Sequence, residues 1–170
     1  AYDTAGRVNA VRDQAGRTAK FSYDETGRLT TLTRPNGIQD EYTYNNNHQI
    51  LTGKLDGTKV FANSYDSKGR ILKQTDGIAG HETKLAYNQG DSQFTTTITD
   101  RNGNVQTRIH DANYQLIGVQ DALDGKTTYT YDEQGNRTSI TNALNQTARF
   151  EHDAKGNVIK VTDPSGQSLS

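Results

Sequence analysis

The sequence of 170 residues contains no cysteine, no methionine and only two prolines. Without cysteine it has neither a disulfide framework nor a thiolate metal site, and the redox compartment is left open. Translation starts with methionine, so a chain that begins Ala1-Tyr2-Asp3 is expected to be a piece cut from a longer product. It also lacks a signal peptide and any run of about 18 apolar residues, so the sequence predicts no membrane span.

An excess of charge of one sign is lacking as well. The 19 basic and 20 acidic residues give a net charge of −1, with no basic stripe, which argues against a nucleic-acid partner. Hydrophobic residues make up 31% and the mean hydropathy is −0.91, values that also occur in disordered chains. The apolar residues are periodic, however, and we predict a folded chain with a thin core, such as a sheet with one buried face.

One six-residue pattern returns along the whole chain. Its first residues stand at positions 2, 23, 44, 65, 87, 110, 131 and 152, a period of 21 to 23 residues. A fixed period near twenty indicates a repeat architecture, so we interpret residues 1–170 as a single array of eight units. The predicted motif residues are Tyr2, Asp3, Gly6, Arg7, Tyr23, Asp24, Gly27, Arg28, Tyr44, Tyr65, Asp66, Gly69, Arg70, Tyr87, His110, Asp111, Tyr131, Asp132, Gly135, His152, Asp153 and Gly156.

Each unit reads as strand, turn, strand, turn. In the first unit, residues 3–6 and 13–16 both follow the template Asp-x-x-Gly. Asp favours the start of a type I turn and Gly accepts the left-handed conformation that follows, which gives a hairpin with a bulge. Between turns, apolar residues alternate, as at Ala19, Phe21 and Tyr23, and period two places them on one face. The predicted fold class is therefore all-β, with tandem antiparallel hairpins of about 16 strands in one long curled sheet.

Three turns depart from the template. Residues 45–48 lack the glycine, residues 111–114 have Tyr114 in its place, and residues 88–91 carry it one position early. The units that start at 65 and 87 are also longer than the others. Because insertions in repeat arrays map to loops, residues 76–92 are expected to hold the longest or least regular loop.

The pattern Tyr-Asp-x-x-Gly-Arg, as in residues 23–28, resembles the YD repeats of the Rhs and teneurin group over the whole chain. This resemblance implies a hollow β-shell that encloses a C-terminal toxin or effector region. The chain would then be a non-enzymatic wall segment of a secreted or cell-surface protein, with no cofactor. Its partners would be the rest of the parent shell and the enclosed effector. A closed barrel of this strand number leaves a lumen that its own side chains do not fill, and a partial wall has edge strands prone to self-association.

The regularly placed tyrosines also allow an alternative, an adhesion module that binds carbohydrate or a partner through exposed rings. The competing interpretation is that the rings pack on the sheet while each hydroxyl reaches a partner. The arginines that follow the turn glycine, Arg7, Arg28 and Arg70, are expected to pair with acidic residues across the hairpin.

Other chemistry has less support. The turn aspartates match no calcium-loop pattern, and His48, His81, His110 and His152 show no zinc-ligand spacing, so no metal site is predicted. His110 and His152 stand where other units have Tyr and are interpreted as planar substitutes for it. Asp163-Pro164-Ser165-Gly166 resembles part of the self-cleavage segment of Rhs-like proteins, but it falls in register as an ordinary second turn. We interpret it as a turn, with no catalytic residue in the chain.

Overall fold

The computed structural model describes residues 1–170 and contains sixteen strands and no helix, which confirms the all-β prediction. Strands form because each turn-to-turn segment is about six residues long and rich in Thr, Val, Ile, Leu and Tyr, which suit a pleated sheet. No helix is present that could cross a membrane.

The chain divides into two compact units, residues 1–84 and residues 85–170. The strands of the first unit are β1 (Ala10–Arg12), β2 (Thr18–Tyr23), β3 (Leu29–Thr33), β4 (Gln39–Tyr44), β5 (Ile50–Leu55), β6 (Thr58–Tyr65) and β7 (Ile71–Thr75). Strand β8 (Glu82–Gln89) contains the boundary. The strands of the second unit are β9 (Gln93–Thr99), β10 (Val105–Asp111), β11 (Leu116–Gln120), β12 (Lys126–Tyr131), β13 (Arg137–Thr141), β14 (Thr147–His152), β15 (Val158–Thr162) and β16 (Ser168–Leu169).

Within each unit, every strand pairs antiparallel with its neighbours in the chain, as successive hairpins require. The register slips by one residue just before the motif Tyr or His. Tyr23 is opposite Leu29, Tyr131 is opposite Arg137 and His152 is opposite Val158, each after such a bulge. His152 therefore occupies the same position in the strand register that Tyr occupies in other units.

Thirteen turns share one hydrogen-bond pattern, which confirms the predicted type I turn with a bulge. In the first, the amide of Gly6 donates to the carbonyl of Asp3 (3.0 Å), and the amide of Asp3 donates to the carbonyl of Arg7 (2.8 Å). The fourth residue is left-handed, with φ of 78° at Gly6. Glycine is not essential there, because four turns have another residue in the same conformation: His48 (φ 61°), Tyr114 (φ 62°), Asp124 (φ 65°) and Asn145 (φ 59°).

The expected irregular loop is present between β7 and β8. Residues 76–81 form the longest connection between strands, six residues, and they contain two left-handed glycines, Gly77 and Gly80. A second irregularity lies between β8 and β9, where Gly90 donates to the carbonyl of Gln93 in a shorter turn. The extra residue of the unit that starts at 65 thus falls in a loop, whereas the unit that starts at 87 combines a shorter turn with longer strands.

The two faces of the sheet differ in chemistry. In the second unit, Val119, Tyr129, Ile140, Phe150 and Val161 occupy one face according to the strand register, and Thr, Ser, Arg and Glu residues occupy the other. The apolar side chains are half-buried or exposed, and none is fully buried. The predicted buried face is therefore only half-buried, because within each unit no second layer covers the apolar face of the sheet.

Candidate functional site

The most regular set of interactions joins each repeat to the next through side chains of the motif. It starts at the turn aspartate. Asp24 Oδ1 accepts the backbone amides of Thr26 (2.9 Å) and Arg28 (3.0 Å), and its Oδ2 accepts Nε of Arg28 (2.6 Å). One carboxylate therefore shapes the turn and fixes the arginine four residues later, so the predicted arginine pairing is made within the turn itself.

The same arginine reaches the following repeat. Arg28 Nη1 donates to the carbonyl of Asn45 at 2.6 Å, and its guanidinium lies 5.1 Å from the centre of the Tyr44 ring. Arg7 repeats this geometry one unit earlier, with its guanidinium 4.7 Å from the Tyr23 ring and Nη1 3.3 Å from the carbonyl of Asp24. A cation over a tyrosine face is attractive, so arginine and tyrosine hold neighbouring turns together.

The tyrosine hydroxyl closes the connection in the opposite direction. Tyr44 donates to the carbonyl of Leu29 at 2.8 Å, and Leu29 lies fifteen residues earlier, directly after Arg28. The hydroxyls of three other repeat tyrosines make the equivalent bond over the same separation: Tyr23 to Val8, Tyr65 to Ile50 and Tyr131 to Leu116. We call this set the inter-repeat ladder: the turn Asp or Asn, the residue four positions later, and the Tyr or His of the next motif.

The ladder tolerates substitution. In the turn of residues 45–49, Asn45 replaces Asp and Gln49 replaces Arg, yet Gln49 Nε2 still donates to the carbonyl of Gly69 at 2.7 Å. In the last two units asparagine replaces arginine. Asn136 Nδ2 donates to Asp132 Oδ2 (3.0 Å), and Asn157 makes the same bond to Asp153 (2.9 Å). These shorter side chains keep the hydrogen bond to the aspartate of their own turn and donate no bond to the next repeat.

Hydrogen bonds lower the pKa of turn aspartates in both units. Hydrogen bonds from the backbone amide and side chain of Arg7 lower the pKa of Asp3. Burial opposes ionisation of Asp24, yet the amide and guanidinium of Arg28 outweigh it and hold its pKa well below the ordinary value. In the second unit, the side-chain amide of Asn136 lowers the pKa of Asp132, although Asn136 carries no charge. The acceptor role of the carboxylate is therefore common to both units.

The remaining predicted residues are placed as follows. Tyr2 forms an isolated bridge to Val8 and is 71% exposed. Tyr87 lies in β8, and Asp66 and Arg70 repeat the pairing of Asp24 and Arg28. Asp163 starts an ordinary turn, in which its Oδ1 accepts the hydroxyl and amide of Ser165, and the hydroxyl is the main cause of its lowered pKa.

No group of three or more His, Cys, Asp or Glu side chains is arranged to hold a metal ion. The four histidines are dispersed along the array, and Nδ1 of His81 lies 3.2 Å from Asp76 Oδ2.

Two features escaped the sequence analysis. Asp40, on the apolar face of β4, is the only buried charged residue; Arg34 binds its Oδ2 at 2.9 Å, and its Oδ1 has no partner. The sequence feature that could have revealed this pair is Arg34, which stands at the start of a turn where most turns have Asp. Tyr114 stacks on Phe94 with ring centres 4.8 Å apart. The sequence feature that could have revealed this stack is a bulky residue at a position where most turns have glycine.

Architecture and ladder together define a tandem β-hairpin array of the YD type, whose repeats are joined through motif side chains. Comparison with known protein families agrees. The RHS repeat model matches residues 2–39 and the teneurin YD-shell model matches residues 46–170. The second match spans well over half of the chain, which therefore belongs to the teneurin YD-shell family.

Individual relatives are much longer than this chain. The probable deoxyribonuclease RhsB of Dickeya dadantii (strain 3937) is 27% identical over 135 residues, which are 78% of this chain and 9% of that protein. Among solved structures, TcdB2-TccC3-Cdc42 matches 95% of this chain and 12% of its own chain, with 14% identity and a TM-score of 0.39. The Photorhabdus luminescens Tc holotoxin pore matches 86% of this chain and 12% of its own, with 17% identity and a TM-score of 0.38.

Proposed function

We propose that this chain is a non-enzymatic segment of an Rhs-like β-shell wall, which encloses a C-terminal toxin or effector region of its parent protein. The observation that carries the proposal is the inter-repeat ladder. The arginines bond to the next repeat, the tyrosines bond to the previous one and the aspartates hold the arginines in place, which is the use expected of wall components. Membership of the YD-shell family supports the same interpretation.

The composition of the faces also fits a wall. One face is rich in Thr, Ser, Lys and Glu and suits contact with water, while the other presents half-buried aromatic and aliphatic side chains. An apolar face that one layer leaves uncovered must be covered by other chain segments or by cargo. We therefore propose that residues 1–170 act as a single array within a parent shell, and that this parent is secreted or displayed at the cell surface.

The decisive experiment uses the parent protein with its C-terminal region. Limited proteolysis should cut that region slowly when the repeats are intact. Replacing Arg7 and Arg28 by Asn breaks two connections of the ladder and should accelerate the cutting, because it loosens the wall between repeats. A matched control replaces Arg17, which pairs within an exposed turn at Asp13. If the C-terminal region is cut equally fast with the repeats present or removed, encapsulation is wrong.

A second candidate is the adhesion module that binds carbohydrate. The observation in its favour is Tyr114, a residue that is 74% exposed and whose ring lies parallel to that of Phe94, as a platform for a sugar ring would. Against it, four repeat tyrosines use their hydroxyls within the ladder. Binding on a glycan array that disappears in Tyr114→Ala would support this function, and an array without signal would remove it.

A further inference from the structure

The connection between the turns of residues 132–136 and 153–157 has no side chain like Arg7, Arg28 or Gln49, each of which bonds a backbone carbonyl of the next turn. Between the turns of residues 132–136 and 153–157 lies an open cleft of about 520 Å³. Its lining includes Asp132, Asn136, His152, Asp153 and Lys155. The same place between the turns at Asp3 and Asp24 is occupied by the guanidinium of Arg7. The cleft is thus the position of a missing arginine.

The groups that bind arginine elsewhere are retained around this cleft. Asp132 corresponds to Asp3 and Asp24, whose Oδ2 atoms accept Nε of an arginine. Here Oδ2 receives only the neutral amide of Asn136. The carbonyl of Asp153 corresponds to the carbonyls of Asp24 and Asn45, which accept arginine Nη1. It accepts the amide of Gly156 in its own turn and no side-chain donor.

Asn136 is too short to supply that donor. Its Oδ1 lies 2.9 Å from the place where a Cβ on Gly156 would stand, so it presents an acceptor towards the next turn. In the equivalent place Gln49 presents Nε2, and Gln115 Nε2 approaches Gly135 in the same way. The imidazole of His152 also covers less space than the tyrosine ring on which Arg7 and Arg28 lie.

Charge is consistent with a cationic occupant. Residues 85–170 contain seven Lys and Arg and ten Asp and Glu, for a net charge of −3, whereas residues 1–84 contain twelve and ten, for +2. The lining of the cleft contributes two carboxylates, opposed by the ammonium of Lys155 at the exposed rim. A planar guanidinium suits such a place better than an ammonium, because its fork of donors can serve a carboxylate and a carbonyl at once.

We propose that this cleft binds an arginine side chain presented by a partner polypeptide, in the position that Arg7 and Arg28 fill within the chain. The arginine inserts between the two turns, donates to Asp132 and to the carbonyl of Asp153, and lies against His152. The partner thereby completes the inter-repeat ladder. This inference does not depend on encapsulation, since any partner with an exposed arginine satisfies it.

The test is a nuclear magnetic resonance titration of the full chain with acetyl-Gly-Arg-Gly-amide at pH 7.5. Amide signals of residues 132–136 and 152–156 should shift and saturate together. The citrulline peptide, which has the same shape without the charge, should bind at least about tenfold more weakly, because charge-assisted hydrogen bonds are worth about 1.5–3 kcal/mol. Equal shifts with both peptides would overturn the proposal.

Two variants locate the site. Asn136→Arg fills the cleft from within and should weaken binding of the arginine peptide by at least about tenfold. Asn104→Arg makes the same substitution in a remote turn, where Asn104 bonds Asp100 at 2.9 Å, and should leave binding unchanged. If both variants weaken binding equally, or if the peptide shifts every acidic turn alike, the effect is general charge attraction and the proposed site is wrong.

Discussion

The two compact units build the same hairpins with different side chains at the repeat connections. In residues 1–84 the connections at Arg7 and Arg28 are charged and stack on tyrosine rings. In residues 85–170 asparagine stands at positions 136 and 157, and histidine replaces tyrosine at positions 110 and 152. The backbone turns are nevertheless the same, with Asp Oδ1 accepting two amides and a left-handed fourth residue.

This difference separates what shapes a repeat from what joins repeats. Twelve of the thirteen turns start with an Asp or Asn acceptor, a feature that persists in both units, and Arg34 starts the one exception. The charged arginine is dispensable for the turn and acts between turns. Different residues of the same motif therefore shape the hairpin and join neighbouring repeats.

The largest expected effect is acid destabilisation of both units. The pKa of each turn aspartate with a shift, including Asp24 and Asp132, is lowered below 3.8 by hydrogen bonds of the folded state. A group whose folded pKa is lowered contributes stability above its unfolded pKa and loses it as the pH falls through the folded pKa. Hydrogen exchange resolved by unit should accelerate in both below about pH 4.

Salt distinguishes the units in the same experiment. At neutral pH, 1 M NaCl should loosen residues 1–84 more than residues 85–170, because the partners of Asp132 and Asp153 are neutral amides. In the pH series described above, a free energy of unfolding that is unchanged or increased between pH 4 and pH 2 would contradict the role given to the turn aspartates.

A smaller effect is expected when the connections are exchanged. Arg28→Asn gives the first unit the connection of the second and should destabilise it by about 1–2 kcal/mol, since it removes the stack on Tyr44 and the bond to the Asn45 carbonyl. Asn136→Arg should have the opposite sign in the second unit. Urea unfolding of both variants measures this, and a loss of stability in Asn136→Arg would break the comparison.

The tyrosine hydroxyl should contribute equally in both units. Tyr44→Phe and Tyr131→Phe each remove one bond to a backbone carbonyl, at 2.8 Å in both cases. Each should cost about 1 kcal/mol, the net value of such a bond, while the ring remains. Burial raises the pKa of Tyr44, which further favours the protonated hydroxyl that donates this bond. Thermal unfolding that shows a cost in only one unit would mean that the connection is not shared.

The smallest effect concerns the left-handed turn residue. His48→Gly in the first unit should stabilise by about 0.5–1 kcal/mol, because glycine adopts this conformation without steric cost. Tyr114→Gly in the second unit should gain nothing net, since it also removes the stack on Phe94. Differential scanning calorimetry of the pair checks this, and an equal gain in both would show that the stack contributes no stability.

The hairpins could be predicted from the sequence because their determinants are local. The Asp-x-x-Gly spacing fixes each turn, and alternation at Ala19, Phe21 and Tyr23 fixes the strand between turns. Even the insertion at residues 76–81 was visible as a change in spacing. The repeat period also gave the position of His152, which lies in the same bulged register as Tyr23.

The connections between repeats could not be predicted, because they depend on how far a side chain reaches across the sheet. Nothing in the local pattern reveals that Arg28 serves both Asp24 and the carbonyl of Asn45, or that Tyr44 bonds a carbonyl fifteen residues earlier. The half-buried state of the apolar face was equally invisible. Burial depends on what covers a sheet, and periodicity within one strand carries no information about a second layer.

A double-mutant cycle on Arg28 and Tyr44 tests most directly whether the motif joins neighbouring repeats. Unfolding free energies are measured for Arg28→Asn, Tyr44→Leu, the double variant and the parent, with Asn136→Ala and His152→Ala as the matching cycle in the second unit. The predicted coupling is about 1 kcal/mol for Arg28 and Tyr44 and close to zero for Asn136 and His152. Additive effects of Arg28→Asn and Tyr44→Leu would contradict the ladder.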